Sequence, residues 1–330
     1  MINAHVDEIV NHPRRLIGLE AVHNFRDLGG YATADGRSTK WRTLFRSDGL
    51  YRLRGADDMS RVMQLGLKSV IDLRTEREQR EQGIFPTDDI EVTFHHLSIV
   101  DVTWSDTETP EFDDEVEFLV WGYRDMLEIG SSRFADAMHV LAQADSLPAV
   151  FHCAAGKDRT GVLAALLLSS LGVDDAHICA DYGLTQDAMR RSIAWSKVHR
   201  PELAERYANI PKAYLAADPR AMQIILTELA QQHGSVRNYV REIGVADSTV
   251  EALGNMAYCA PKQISNFLPQ IVKSLREILN DTHEKVHEAA IEAIKKIGSV
   301  IKCPEIGDML EAIVNALANT NTHLNYALKL

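Results

Sequence analysis

The spacing of apolar and polar residues changes character along this chain. Leu67-Lys68-Ser69-Val70-Ile71-Asp72-Leu73 and Ile90-Glu91-Val92-Thr93-Phe94-His95-His96-Leu97 are short runs of the kind that form β-strands. Pro148-Ala149-Val150-Phe151 is short and apolar, like the end of a buried strand. Helical spacing predicts helices over residues 116–127 and 133–144. A more apolar helix is predicted over 160–171, closed by Gly172. Strands alternating with helices imply an α/β fold, with a central, largely parallel sheet flanked by helices. In such sheets ligands bind beyond the carboxyl ends of the strands.

Two stretches break that rhythm. Residues 101–115 are acidic and aperiodic, which fits a mobile loop near a site entrance or a plain solvated loop. Residues 185–222 read as helical but outside the strand–helix alternation. Beyond residue 254 the pattern is purely helical. Ile264, Phe267, Leu268, Ile271, Val272 and Leu275 follow one stripe, and Val286, Ala289, Ala290, Ala293, Ile294 and Ile297 another. Asp281-Thr282-His283-Glu284 between them is a capping-box-like start, and Pro304 suits the first turn of a third helix. A helix–turn–helix unit of about 40 residues is a HEAT-type period. The expected division is 1–253, α/β, and 254–330, all-α.

Composition narrows the class. The chain has 330 residues, 45% hydrophobic and 25% charged, as expected for a soluble globular protein of about two domains. The four cysteines, Cys153, Cys179, Cys259 and Cys303, are far apart and show no Cys-x-x-Cys pairing. They suggest neither a disulfide framework nor a zinc site, and the expectation is no metal and no cofactor. The first fifteen residues carry charges and no apolar segment, and no run of about 18 apolar residues occurs. A cytoplasmic protein without a membrane span is therefore expected. The net charge is −12, and from Pro261 onward 8 basic and 8 acidic residues cancel, so the excess lies in the first part. An acidic surface argues against nucleic-acid partners.

The chemistry concentrates in His152-Cys153-Ala154-Ala155-Gly156-Lys157-Asp158-Arg159-Thr160-Gly161. This stretch leaves a strand and enters a helix N-terminus, whose free N–H groups and dipole favour an anion. There Cys153 would ionise readily to a thiolate nucleophile. Arg159 offers a planar fork to two oxygens of a phosphate. Ala154, Ala155 and Gly156 are small enough for backbone to wrap a tetrahedral anion. Thr160 can hydrogen-bond the sulfur as it leaves, and His152 orients the loop. Lys157 adds a positive charge that could meet a second phosphate or pair with Asp158.

This loop resembles the signature of the cysteine-dependent protein tyrosine phosphatases. Its Gly-Lys-Asp-Arg-Thr-Gly form is similar to the bacterial tyrosine and dual-specificity branch, which also includes phosphoinositide-active enzymes. Companion stretches match that branch in order: Asn24 to Tyr31, Leu44 to Asp48, Val70 to Arg74, Ile178 with Asp181-Tyr182, and Gly234 to Tyr239. The resemblance covers roughly residues 15–253 and implies a phosphomonoester hydrolase that passes through a cysteinyl-phosphate, acting on phosphotyrosine proteins or phosphoinositides. It also implies that residues 185–222 form a helical lid. Arg26, Asp27 and Arg46, read as lying on two early loops, would brace the site.

A leaving alkoxide needs a proton, and the Trp-Pro-Asp segment of larger tyrosine phosphatases is missing. Asp72, at a strand end, is slightly favoured as the acid, with Asp158 in a substrate-contact or water-positioning role. An ion pair with a nearby arginine is as good a reading of Asp72. The competing functions are a phosphate-binding module with little turnover, and another thiolate chemistry such as sulfur transfer or arsenate reduction.

Ala260-Pro261-Lys262-Gln263, Leu268-Pro269-Gln270-Ile271-Val272 and Asp281 to Val286 resemble the HEAT arrays of eukaryotic translation elongation factor 3 and the related general-control kinase activator. That implies a protein partner for 254–330. One repeat and part of another fall short of the three or so a solenoid needs. With halves resembling proteins of different kinds of cell, a fusion, chimera or truncated product is expected.

Overall fold

The computed structural model describes residue 6, residues 8–104 and residues 110–259, with side chains as far as Asn255. The chain divides into two units, Met1–Tyr258 and Cys259–Leu330. The helices expected beyond residue 259 and the tip of the 101–115 loop lie outside the described residues.

The first unit is built on a five-stranded sheet. Its strands are β1 (Arg26–Asp27), β2 (Leu44–Ser47), β3 (Ser69–Asp72), β4 (Thr93–His96) and β5 (Ala149–His152). The spatial order is β1-β2-β5-β3-β4. Only β1 runs antiparallel to its neighbour, and the other pairings are parallel. Every residue of β2, β3 and β5 is buried, as expected for parallel strands covered on both faces. Side-chain alternation divides the core. Phe45, Val70 and Val150 face one apolar cluster, and Leu44, Ile71 and Phe151 face the other.

The register sets up the site. Ser47 pairs with His152, His152 with Asp72, and Asp72 with His96, so one row of residues ends four strands at the same sheet edge. Cys153 follows directly on that row.

The α-helices described after residue 55 are α1 (Ala56–Met63), α2 (Glu76–Gln82), α3 (Glu115–Ile129), α4 (Ser131–Leu141), α5 (Asp158–Ser170), α6 (Asp175–His199), α7 (Pro201–Asn209), α8 (Pro219–His233), α9 (Val236–Glu242) and α10 (Asp247–Ala257). α3 and α4 meet at Gly130, where a Cβ would lie 2.6 Å from Ile99 Cγ2 and 2.8 Å from the Ile99 carbonyl. α5 buries eleven of its thirteen residues, which explains its apolar run on all sides.

Two expectations change. Arg26, Asp27 and Arg46 lie on strands, not loops, because their charges are satisfied inside the protein and no longer signal exposure. The helical stretch expected from residue 185 begins at Asp175, capped by the Asp174 side chain, and its first half is core. Within the 101–115 stretch, Trp104 and Phe112 pack with Phe118 and Trp121, ring centroids 5.5–6.1 Å apart.

Candidate active site

Residues 153–157 form the turn between β5 and α5. Cys153 is 2% exposed. Gly156 sits at φ +64°, and a Cβ there would come within 2.5 Å of the Ser47 carbonyl oxygen. The turn can lie flat on β2 only because that residue is glycine.

Three consecutive carbonyls of the turn are held from outside. The Gly49 N–H donates to the Ala154 oxygen at 3.0 Å. Asn24 Nδ2 donates to the Ala155 and Gly156 oxygens at 2.9 and 3.0 Å. Arg46 Nη2 reaches the Gly156 oxygen at 2.8 Å. In a trans peptide the next N–H points opposite to the carbonyl. The N–H groups of Ala155, Gly156 and Lys157 therefore turn to the inner side of the loop, the arrangement of an anion cradle.

The donors are themselves anchored. Asp181, fully buried on α6, accepts from Arg26 Nε at 3.0 Å, Arg46 Nη1 at 2.8 Å and Tyr31 Oη at 2.9 Å. Burial would raise its carboxyl, but the two guanidinium groups outweigh burial and hold it well below the usual range. Burial lowers Arg46 to about 10, with the Arg26 charge adding to that and Asp181 opposing it. Asn24 Oδ1 accepts from Arg26, and Asp48 takes the backbone N–H groups of His23 and Asn24 and the Arg52 side chain. Arg26 and Arg46 thus act on the turn through hydrogen bonds. Asp27 does not reach it: its oxygens accept from the Gly29 and Arg42 N–H groups at 2.8 and 2.6 Å, closing a turn elsewhere.

Arg159 lies in the first turn of α5, 9% exposed. Its Nη1 and Nη2 meet the two carboxylate oxygens of Glu78 at 2.6 and 3.0 Å. Glu78 is held in turn by a capping box on α2, its Oε2 accepting from the Thr75 N–H at 2.8 Å. Burial alone would lower Arg159, but Glu78 reverses that and raises it further. Sequence reasoning missed Glu78. The Thr75-x-x-Glu78 spacing was the available signal, though it announces a helix start and says nothing of a partner 81 residues on.

The two acid candidates sit in different surroundings. Asp72 is fully buried, accepting from Arg74 Nε at 3.0 Å, Arg74 Nη2 at 2.7 Å and Gln79 Nε2 at 2.9 Å. Burial would raise it, but His152 and Arg74 together pull it below the usual carboxylate range. The His152 Nε2 is 3.8 Å from Asp72 Oδ2 and has no hydrogen-bond partner. Asp158 opens α5 with its side chain 23% exposed. Its Oδ1 accepts from Lys157 Nζ at 2.6 Å and from Tyr123 Oη at 2.9 Å. Lys157 Nζ is thus directed at Asp158. Thr160 Oγ1 is buried without a hydrogen-bond partner, which leaves it available beside the turn. Among the described residues no group of three His, Cys, Asp or Glu side chains is placed to hold a metal ion.

The profile described as "Tyrosine phosphatase family" matches residues 17–258, and the chain belongs to that family. A second profile, "HEAT-like repeat", matches residues 245–297. The triple specificity protein phosphatase PtpB of Mycobacterium tuberculosis is 29% identical over 276 residues, covering 71% of this chain and 96% of that protein. The eIF-2-alpha kinase activator GCN1 of Dictyostelium discoideum is 60% identical over 60 residues, covering 18% of this chain. The chain spans only 2% of that relative's length. The crystal structure of TpbA from P. aeruginosa aligns with 56% of this chain and 91% of its own at 18% identity and a TM-score of 0.27. Among the described residues no helix is long and apolar enough to cross a membrane.

Proposed function

We propose that the chain is a cysteine-dependent phosphomonoester hydrolase. The observation that carries this reading is the turn over residues 153–157: three carbonyls are tied outward, Gly156 is pressed on β2, and the Arg159 fork, six positions after Cys153, is fixed by Glu78. In the first step the Cys153 sulfur bonds to phosphorus as the phosphorus–oxygen bond to the leaving group breaks. Arg159 and the loop N–H groups hold the non-bridging oxygens. Asp158 gives its proton to the leaving oxygen. In the second step water bonds to phosphorus, the sulfur–phosphorus bond breaks, and the water proton goes to Asp158. Thr160 stabilises the departing sulfur.

Asp158 is preferred to Asp72 as acid because its carboxyl is partly exposed and only one oxygen is engaged. The carboxylate of Asp72 is enclosed by Arg74 and Gln79, so it fits the holding of Arg74 better than proton transfer. Phosphotyrosine proteins are the first substrate class. PtpB is named for triple specificity, so phosphoserine/threonine and phosphoinositide esters belong in the same panel.

We assign catalysis to residues 1–253 and a separate helical segment to 254–330, with a protein partner for the latter. A scaffold with little turnover is the second reading, favoured by the HEAT-like match over 245–297. Hydrolysis of para-nitrophenyl phosphate, inhibited by vanadate, unaffected by chelators and abolished by Cys153→Ser while phosphate still binds, supports the hydrolase. Phosphate binding without turnover in the unaltered chain supports the scaffold.

A further inference from the structure

Asp158 is bound on one side only. Lys157 and Tyr123 both donate to Oδ1, while no hydrogen bond to Oδ2 occurs among the described residues. Tyr123 comes from the middle of α3, 35 positions from Asp158 in the chain. Its phenol is fully buried, so the ring cannot swing away without opening the core. It has one proton to give, and that proton points at the carboxylate. The short contact between the Tyr123 and Tyr182 hydroxyls is then donated by Tyr182.

Tyr182 is held as firmly. It is 1% exposed, follows the anchored Asp181 on α6, and packs its ring on Gly161, where a Cβ would lie 3.1 Å from it. The two rings meet edge to face with centroids 6.1 Å apart. A relay of fixed donors therefore runs from α6 through α3 to one oxygen of Asp158.

We propose that Tyr123, supported by Tyr182, is a positioning residue for proton transfer: it locks the Asp158 carboxyl so that Oδ2 faces the leaving group. This rests on the assignment of Asp158 as the acid. Both tyrosines have acidities pushed far out of the physiological range, chiefly by burial and then by the Asp158 charge, so they donate hydrogen bonds and do not exchange protons with substrate.

The test compares phenyl phosphate, whose leaving group needs a proton, with 2,4-dinitrophenyl phosphate, whose leaving group does not, using the full chain. Asp158→Asn should lose about 100-fold in kcat on the first ester and less than about threefold on the second. Tyr123→Phe, which keeps the ring, should lose about tenfold in kcat on phenyl phosphate only, with KM unchanged. Adding Tyr123→Phe to Asp158→Asn should cost nothing more. Tyr182→Phe, the second variant should the first fold poorly, should show the same substrate pattern at smaller size. Equal losses on both esters, a loss carried by KM alone, or an additive loss in the double variant would each overturn the positioning role. If Asp158→Asn shows no dependence on leaving group, the acid assignment itself fails and the proposal falls with it.

Discussion

Arg159 and Glu78 face each other fork to fork, 2.6 and 3.0 Å apart, with side chains 11% and 13% exposed. The pair ties the helix after β5 to the short helix after β3. A guanidinium held this way keeps its plane before any anion arrives, which lowers the ordering needed on binding. Glu78→Gln should keep the capping box, since glutamine suits that position, but it removes the charge and one acceptor. We expect kcat/KM to fall by about 10- to 100-fold, or 1.4–2.7 kcal/mol, with KM carrying part of the loss. Steady-state kinetics beside thermal unfolding check this. A loss of stability with unchanged kinetics would refute it.

Gly156→Ala meets two obstacles, the left-handed backbone and the Ser47 carbonyl 2.5 Å from the new Cβ. The neighbouring atoms, from Ser47 and Asp48, are all backbone, so the turn itself must move. A destabilisation of about 1–3 kcal/mol is expected. Phosphate affinity should drop more steeply than that, because the N–H groups lose their aim. Calorimetric titration with inorganic phosphate, beside denaturant unfolding, separates the two effects.

Asp72→Asn leaves the fully buried Arg74 without its counter-charge. Breaking such a pair costs about 3–5 kcal/mol. The expected signature is a large fall in unfolding free energy, with a rate loss that does not depend on the leaving group. A rate loss confined to poor leaving groups would return the acid role to Asp72.

Acid should destabilise the protein in two stages. Burial depresses His152 below its ordinary value against the opposing pull of Asp72, so below about pH 6.5 the unfolded chain binds the extra proton and stability falls. The carboxyls of Asp72 and Asp181 are also depressed, and their contribution is present above about pH 4 and lost as pH falls toward their folded values. Thermal midpoints measured from pH 8 to 3 should show both stages. In His152→Gln the first stage should shrink to the part carried by His23 and His95, which burial also depresses, while the second persists.

The reach of sequence reasoning follows the distance between interacting residues. Cys153, Gly156 and Arg159 share one turn, so the need for a nucleophile, a close-packed backbone and a fork could be read from neighbouring letters. The strand before them and the apolar helix after them were legible for the same reason, since periodicity is local. β1 and β2 were not read as strands, because Arg26 and Arg46 look like surface residues until Asp181, 155 and 135 positions away, is seen between them.

The sequence by itself determined the α/β alternation and the residues of one loop, because local spacing and residue type act through adjacent backbone. Only the tertiary structure decided what surrounds them. Glu78 faces Arg159 because β3 pairs with β5, and Asp72 is closed off by Arg74 and Gln79 at a strand end. The Tyr123–Asp158 contact needs α3 packed beside the start of α5. Each of these depends on burial and on charge partners brought together by the sheet, and neither burial nor partnership is written in the order of the chain.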